Sequence, residues 1–167
     1  MNTSEMKIWN YFKNKKLEIV KNPKINISGT LKELDLKVNI DGWVFIEVTN
    51  SNLSDKGKYS LSRGIAVFGK PWRFHNIVKN EYKDHLKNSN LINPAVIIVD
   101  TEGSELSEPI SNFHLESVNF NGMPELSAVV NYNKVHINYG RSVGLVRTNP
   151  MAKYQLSERQ EELLSFM

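Results

Sequence analysis

A segment of strictly alternating polarity limits the folds open to this chain more than any other feature. In residues 33–40, ELDLKVNI, polar and apolar side chains alternate with the period of a half-buried strand. Residues 43–49, WVFIEVT, are mostly aromatic or β-branched, and they predict a second strand. The intervening Ile40-Asp41-Gly42 has the length and the final glycine of a three-residue hairpin loop. The segment is therefore predicted to form a β-hairpin.

The length of the loop determines which residues face each other across the hairpin. Directly opposed residues have Cβ atoms about 5 Å apart. A two-residue turn would shift the register by one and send Asp35 to the other face from Glu47. With the three-residue loop, Asp35 and Glu47 should lie side by side, with Glu33 one step away. The expected pairs are Asn39 with Trp43, Lys37 with Phe45, Asp35 with Glu47, and Glu33 with Thr49.

Two opposed carboxylates require an explanation, because like charges that face each other destabilise a sheet. Glu47 also interrupts an apolar run, and a buried strand seldom carries an unpaired acid. A divalent cation such as Mg²⁺ or Mn²⁺ would explain both features, since it binds carboxylate oxygens and water. The alternative is a hairpin with one solvated polar face, on which the acids are incidental.

The sequences ELDL (33–36) and VFIEVT (44–49) resemble the motif of the PD-(D/E)XK nuclease superfamily, also called the restriction-endonuclease-like fold. That motif is an Asp on one strand and, across a hairpin, a hydrophobic strand that ends in Glu/Asp-x-Lys. The resemblance implies an α/β fold with a mixed central sheet, flanked by helices, whose hairpin carries the acidic site. It also implies a metal-dependent endonuclease that acts on nucleic acid, with DNA as the expected partner. Asp35 and Glu47 would bind Mg²⁺ or Mn²⁺, and Glu33 would be a further ligand or a supporting acid.

One position departs from the family motif. Thr49 stands where the resemblance implies a catalytic lysine, which helps to activate the attacking water and stabilises developing charge. Lys37, on the same face of the hairpin, and Lys56 or Lys58, after the second strand, could supply the missing charge. If none of them does, the chain is a catalytically degenerate nuclease-fold module that binds nucleic acid or a protein partner.

The composition sets broader bounds. A chain of 167 residues with 40% hydrophobic residues predicts a single nuclease-like domain over residues 1–167. It has no cysteine, no signal peptide and no apolar run long enough to span a membrane, which fits a cytoplasmic protein. Cutting both strands of DNA often uses two active sites, so a homodimer is compatible with the implied function. The net charge is only +3, but lysines crowd the N-terminal segment, either as a solvated face or as contacts to phosphates: Lys7, Lys13, Lys15, Lys16, Lys21 and Lys24.

Further helices and strands are predicted around the hairpin. A leading helix over residues 4–16, with Ser4 as its cap, could bring Glu5 or Glu18 near the acids, as helices do in some superfamily members. A first-turn acid that favours the helix dipole is the alternative for Glu5. The other expected helices are 58–69, 74–88 and a tail helix 156–167 with a capping box from Ser157 to Gln160, and the other expected strands are 95–99, 114–118, 127–132 and 135–139, followed by a loop over 140–150.

Overall fold

A mixed β-sheet with helices on both faces forms the centre of the protein. The computed structural model describes residues 1–50, 71–102, 114–133 and 146–166. The strands are β1 Ile19–Lys21, β2 Lys24–Ile27, β3 Thr30–Glu33, β4 Leu36–Asn39, β5 Trp43–Asn50, β6 Ala95–Asp100, β7 Ala128–Tyr132 and β8 Val146–Thr148, and the helices are α1 Thr3–Asn14, α2 Pro71–His85 and α3 Glu158–Leu164. The predicted fold class, an α/β structure with a mixed central sheet flanked by helices, is confirmed.

Within the described residues, the main sheet has six strands in the order β1-β4-β5-β6-β7-β8, and β2 and β3 form a separate two-stranded sheet. Strand β5 runs antiparallel to β4 and parallel to β6, and β6 runs parallel to β7. The outer strands β1 and β8 are antiparallel to their neighbours. Strands β5 to β7 therefore end at the same edge of the sheet, where parallel sheets place their ligand sites.

Two hydrophobic layers cover the central strands, which are buried on both faces as parallel strands usually are. Alternate residues of β5 point to opposite layers, so that Phe45 packs on the α2 side while Ile46 packs on the side of α1 and α3. Helix α2 contributes an apolar stripe at four-residue spacing, Phe74, Val78 and Tyr82, which Leu86 continues directly after the helix. Glu47 lies two residues after Phe45 in β5, so its side chain points to the same face of the sheet, toward α2. Among the described residues, none of the helices combines the length and apolar character that a membrane span needs.

The register predicted for the hairpin is confirmed over its inner part. Asn39 pairs with Trp43, Lys37 pairs with Phe45, and the Ile40 amide donates to the Gly42 carbonyl at 2.9 Å. Gly42 has φ +112°, which is the left-handed backbone that the loop requires at this place.

The prediction of one continuous strand over residues 33–40 is wrong. The chain leaves the β2–β3 sheet after Glu33 and joins the main sheet at Leu36, because the Leu34 amide donates to Pro23 O and the Asn22 amide donates to Asp35 O, both at 2.9 Å. Glu33 pairs with Lys24 in the second sheet, so its expected pairing with Thr49 is also wrong.

The first residues of helices α1 and α2 differ from those predicted from the sequence. Asn2, not Ser4, caps α1, in a capping box with Glu5, and Ser4 is buried within the helix. Helix α2 begins at Pro71, three residues before the predicted start, since proline is favoured in the first turn. The capping box of α3, Ser157 with Gln160, is confirmed.

The remaining strand predictions have mixed outcomes. Strands β6 and β7 lie where the buried apolar runs predicted them. Residues 114–116 form a helical turn, so the strand predicted there is wrong, and the predicted loop over 140–150 contains β8. The helix predicted at 58–69 and the strand predicted at 135–139 lie outside the described residues.

Candidate functional site

Asp35 and Glu47 lie together at the end of the hairpin, each held by a main-chain amide beside the other. The Asp35 amide donates to Glu47 Oε1 at 2.8 Å, and the Val48 amide donates to Asp35 Oδ2 at 2.8 Å. Regular pairing of β4 with β5 ends at Leu36 opposite Ile46, so Asp35 is the first residue outside the ladder. The predicted proximity of the two acids is therefore confirmed, whereas their chemical role stays a prediction.

Burial and mutual repulsion disfavour ionisation of this pair. Glu47 is only 4% exposed, and burial raises the pKa of its carboxyl strongly, with the charge of Asp35 as the next cause. Burial also raises the pKa of Asp35, and the hydrogen bond from the Val48 amide partly opposes this. The charges of Glu5 and Glu81 raise both pKa values further. The site therefore concentrates carboxyl groups at a place poorly reached by water, where a bound proton or cation would relieve their repulsion.

Helix α2 brings an acid and an imidazole to the same place. Glu81 and His85 are four residues apart, so they share one face of the helix. His85 Nε2 lies 3.5 Å from Glu47 Oε2 and 3.3 Å from Glu81 Oε2. The three side chains can each direct one ligand atom to a common point, since those atoms all lie within 4.8 Å of one another. The sequence analysis missed both α2 residues.

Helix α1 contributes Glu5 to the other side of the pair. The Glu5 carboxyl lies near enough to Asp35 for its charge to raise the pKa of that residue. The start of α1 is fixed at this edge by Asp100, at the end of β6, whose Oδ2 accepts from Ser4 Oγ at 2.7 Å and pairs with Lys7 Nζ at 2.9 Å. The capping acid Glu5 thus also belongs to the acidic site, which was one of the two roles considered for it.

Other residues that the sequence suggested are placed away from the acids or outside the described residues. Glu33 is exposed and belongs to the second sheet. The Lys37 ammonium lies 4.2 Å from the centroid of the Trp43 ring, which is nearer the hairpin turn than Glu47 is. Lys56 and Lys58 lie outside the described residues. Glu18 accepts a 3.5 Å hydrogen bond from the Asn39 side chain, near the turn.

Thr49 occupies the position of the motif lysine on β5. Strand alternation puts Thr49 on the same face as Glu47, and it pairs with Val99 of β6. Within the described part of the chain, neither Asp35 nor Glu47 forms an ion pair with a lysine or an arginine. His85 is the basic group that the described residues bring to Glu47.

A basic and aromatic cluster lies on the α1 face, at the end of the sheet that carries Asp35, and we call Trp9, Lys13 and Lys21 the basic–aromatic patch. The ammonium groups of Lys13 and Lys21 lie 5.4 and 4.8 Å from the centroid of the Trp9 ring. Lys21 pairs with Leu36, the residue after Asp35, and Trp9 lies one helical turn from Glu5. Positive charge is therefore available at the same end of the sheet as the acids.

Comparisons with known proteins give little beyond this geometry. No protein-family model and no curated protein matches the sequence significantly. Among solved structures, the chain is similar to the CdiA-CT/CdiI toxin and immunity complex from Burkholderia pseudomallei, at 16% identity and a TM-score of 0.45, over 87% of this chain and 80% of that chain. The acidic site is therefore interpreted from its own contacts and charges.

Proposed function

We propose that this protein is a metal-dependent nuclease that hydrolyses phosphodiester bonds in nucleic acid, with DNA as the expected substrate. The observation that carries the proposal is the reciprocal contact of Asp35 and Glu47 at the end of the β4–β5 ladder, with Glu5 and Glu81 as further acids. The PD-(D/E)XK motif that these residues resemble supports the same reading.

The donor set fits a divalent cation. Each acid keeps one carboxylate oxygen outside the bonds that hold the pair: Glu47 Oε2 and Asp35 Oδ1, since Oε1 and Oδ2 accept from main-chain amides. Carboxylate oxygens are the ligands that Mg²⁺ and Mn²⁺ prefer. A cation would also offset the repulsion that raises the pKa values of both acids.

The residues of the site would divide the work of hydrolysis. A bound divalent metal supplies polarisation of the scissile phosphate and lowers the pKa of a coordinated water. Asp35 and Glu47 would hold that metal. The two main-chain amides would already fix the side-chain conformations of both carboxylates before the metal binds. The buried position of Glu47 would strengthen every electrostatic contact within the site.

The basic–aromatic patch supports nucleic acid as the substrate. Lysines that contact phosphates release bound counterions, which is the main source of sequence-independent affinity for DNA. The Trp9 ring near two ammonium groups adds an aromatic side chain on which a base or sugar can pack. Lys21 pairs with Leu36, the residue after Asp35, so a backbone held at the patch would lie at the same end of the sheet as the acids.

A second candidate function is a nuclease-fold module that binds nucleic acid or a protein partner without cutting. The observation that favours it is Thr49 at the lysine position, together with the lack of a lysine or arginine paired to either acid within the described residues. Such a module would keep the basic–aromatic patch and would not need a metal.

One experiment separates the two functions. Supercoiled plasmid, single-stranded DNA and RNA are incubated with the protein and Mg²⁺, Mn²⁺ or EDTA. The variants are Asp35→Ala and Glu47→Ala, with Glu33→Ala as the matched control, because Glu33 is a neighbouring acid in the other sheet. We expect metal-dependent cutting that both site variants lose and the control keeps. Binding without cutting in all four proteins would instead favour the module.

A further inference from the structure

We propose that Glu47, Glu81 and His85 form a metal position of mixed oxygen and nitrogen donors, which binds Mn²⁺ in preference to Mg²⁺. This inference rests on the proposed function in one respect, since it also takes Glu47 as a metal ligand. It goes further because it assigns two ligands on α2 that belong to neither strand of the acidic hairpin.

Two of the three distances in this cluster are close to those between ligands that share one cation, and the donor atoms of all three residues lie within 4.8 Å of one another. Donor atoms bound at about 2.1 Å and at right angles lie about 3 Å from each other. His85 Nε2 is 3.3 Å from Glu81 Oε2 and 3.5 Å from Glu47 Oε2. Small side-chain rotations would therefore complete the site without a change in the main chain.

The scaffold around the cluster limits the freedom of each donor. Glu47 lies on a central strand and accepts a main-chain hydrogen bond through Oε1, which leaves Oε2 to face His85. Glu81 and His85 flank Tyr82, which packs in the core and donates its hydroxyl to Glu125 at 2.9 Å. The end of α2 is further tied by Lys32 Nζ, which donates to the Asp84 carbonyl at 2.8 Å.

The kind of donor predicts the choice of metal. Mg²⁺ prefers oxygen ligands and water, whereas an imidazole nitrogen suits transition metals. Mn²⁺ accepts carboxylate oxygens as Mg²⁺ does, and it also accepts histidine. A cluster of two carboxylates and one imidazole therefore favours Mn²⁺.

A competing explanation gives His85 a different role. A protonated imidazole could stand between Glu47 and Glu81 as a counter-ion, and the same distances would then describe an ion pair. The two explanations differ in one observable property, which is whether a nitrogen atom of His85 is bonded to the metal.

The test measures binding of Mn²⁺ and Mg²⁺ alone to the full chain, by calorimetry and by pulsed electron paramagnetic resonance of bound Mn²⁺. His85→Gln removes the imidazole and retains polar contacts, and Glu81→Gln removes the second α2 ligand. His75→Gln is the matched control, because His75 lies on the same helix and its Nδ1 accepts from the Asn119 amide instead.

We expect the wild type to bind Mn²⁺ at least about tenfold more tightly than Mg²⁺, with a nitrogen coupling in the spectrum. His85→Gln should abolish the coupling and weaken Mn²⁺ binding by about 10- to 100-fold, Glu81→Gln should also weaken it, and His75→Gln should match the wild type. A spectrum without nitrogen coupling, or unchanged Mn²⁺ affinity in His85→Gln, would overturn the inference.

The two proposals fail in different ways. If His85-dependent Mn²⁺ binding is found but no nucleic acid is cut, the metal position stands and the nuclease proposal falls. If cutting depends on Asp35 and Glu47 while His85→Gln binds Mn²⁺ normally, the nuclease proposal stands and the mixed-donor position falls.

Discussion

The amide of Asp35 donates a 2.8 Å hydrogen bond to the side chain of Glu47, although the carboxylates of the two residues repel each other. A main-chain donor thus holds one acid against the other. The hydrogen bond from the Val48 amide to Asp35 does the same in the opposite direction. Because the main chain maintains a contact that charge opposes, the site is organised before any cation binds.

The first prediction concerns the metal-free stability of Glu47→Gln. A glutamine keeps the acceptor for the Asp35 amide and cannot ionise, so the variant no longer carries the cost that burial and the charge of Asp35 place on this carboxyl. We expect the variant in EDTA at pH 8 to be more stable to urea than the wild type, by about 1–3 kcal/mol. Function and stability are then opposed at this residue, as they often are at active sites.

The matched control for this gain is Glu33→Gln, which removes an exposed acid that lies in the second sheet. Its free energy of unfolding should stay within about 0.5 kcal/mol of the wild type. Equal or lower stability of Glu47→Gln would mean that Glu47 is compensated by a contact that does not need a metal.

The second prediction concerns pH. The folded state raises the pKa of both Asp35 and Glu47, so it binds their protons more tightly than the unfolded chain does. Their contribution to stability is therefore complete below the pKa of an unfolded carboxyl, near about 4, and is lost as the pH rises through the raised folded values. In EDTA, the wild type should lose stability from pH 5 to pH 9 relative to the double variant Asp35→Asn/Glu47→Gln.

The measurement is urea unfolding of both proteins at several pH values, and only their difference is interpreted, since other groups titrate in both. A difference that stays constant with pH would contradict the raised pKa values. Adding Mn²⁺ should restore the wild type at high pH and should have little effect on the double variant.

Local pattern was sufficient to predict the hairpin and its acids. Strict alternation and a glycine at the third loop position specify one register, and that register puts Asp35 beside Glu47. The same alternation was misleading at Glu33, because a strand can pass from one sheet to another without any break in its polarity. The hydrogen bonds that mark this passage, from Leu34 to Pro23 and from Asn22 to Asp35, are invisible in the sequence.

The α2 side of the site could not be predicted for a different reason. Glu81 and His85 have the i, i+4 spacing of a ligand pair, but the same spacing occurs on many solvated helix faces. What selects them is the packing of Tyr82 and Leu86 against the sheet, which turns the adjacent face toward Glu47. That orientation depends on contacts distant in sequence.

The third prediction concerns the ion pair that attaches α1 to the end of β6. Asp100 is 1% exposed, and Lys7 is its cationic partner. Removing one member of a buried ion pair leaves an uncompensated charge, so Lys7→Met should destabilise the fold by about 1–3 kcal/mol. Urea unfolding would measure the loss, and Lys153→Met, which removes an exposed lysine outside α1, should change stability by less than about 0.5 kcal/mol.

A double-mutant cycle identifies the cause of that loss. Asp100→Asn in the Lys7→Met background removes the unpaired charge, so the double variant should be more stable than additivity of the single changes predicts. Strict additivity would mean that Lys7 stabilises the protein through its aliphatic stem and not through Asp100.

The fourth prediction tests the basic–aromatic patch as a contact for the phosphate backbone. Each lysine that neutralises a phosphate contributes about 0.9 to the slope of log affinity against log salt concentration. Lys13→Gln and Lys21→Gln should therefore each weaken DNA binding and reduce that slope by roughly 0.9, without altering Mn²⁺ affinity. Fluorescence anisotropy of labelled DNA over a range of salt concentrations measures the affinity for DNA and its salt dependence. EDTA is present so that no metal-dependent cleavage occurs.

The matched control is Lys153→Gln, which removes an exposed lysine whose amide donates to the Pro124 carbonyl, on the side of the sheet remote from β1. Its slope should equal that of the wild type. If all three variants reduce the slope equally, DNA contacts the protein through its general positive charge, and the patch has no special role. If only the patch lysines reduce it, a bound backbone lies at the end of the sheet that carries Asp35, where the proposed hydrolysis requires it.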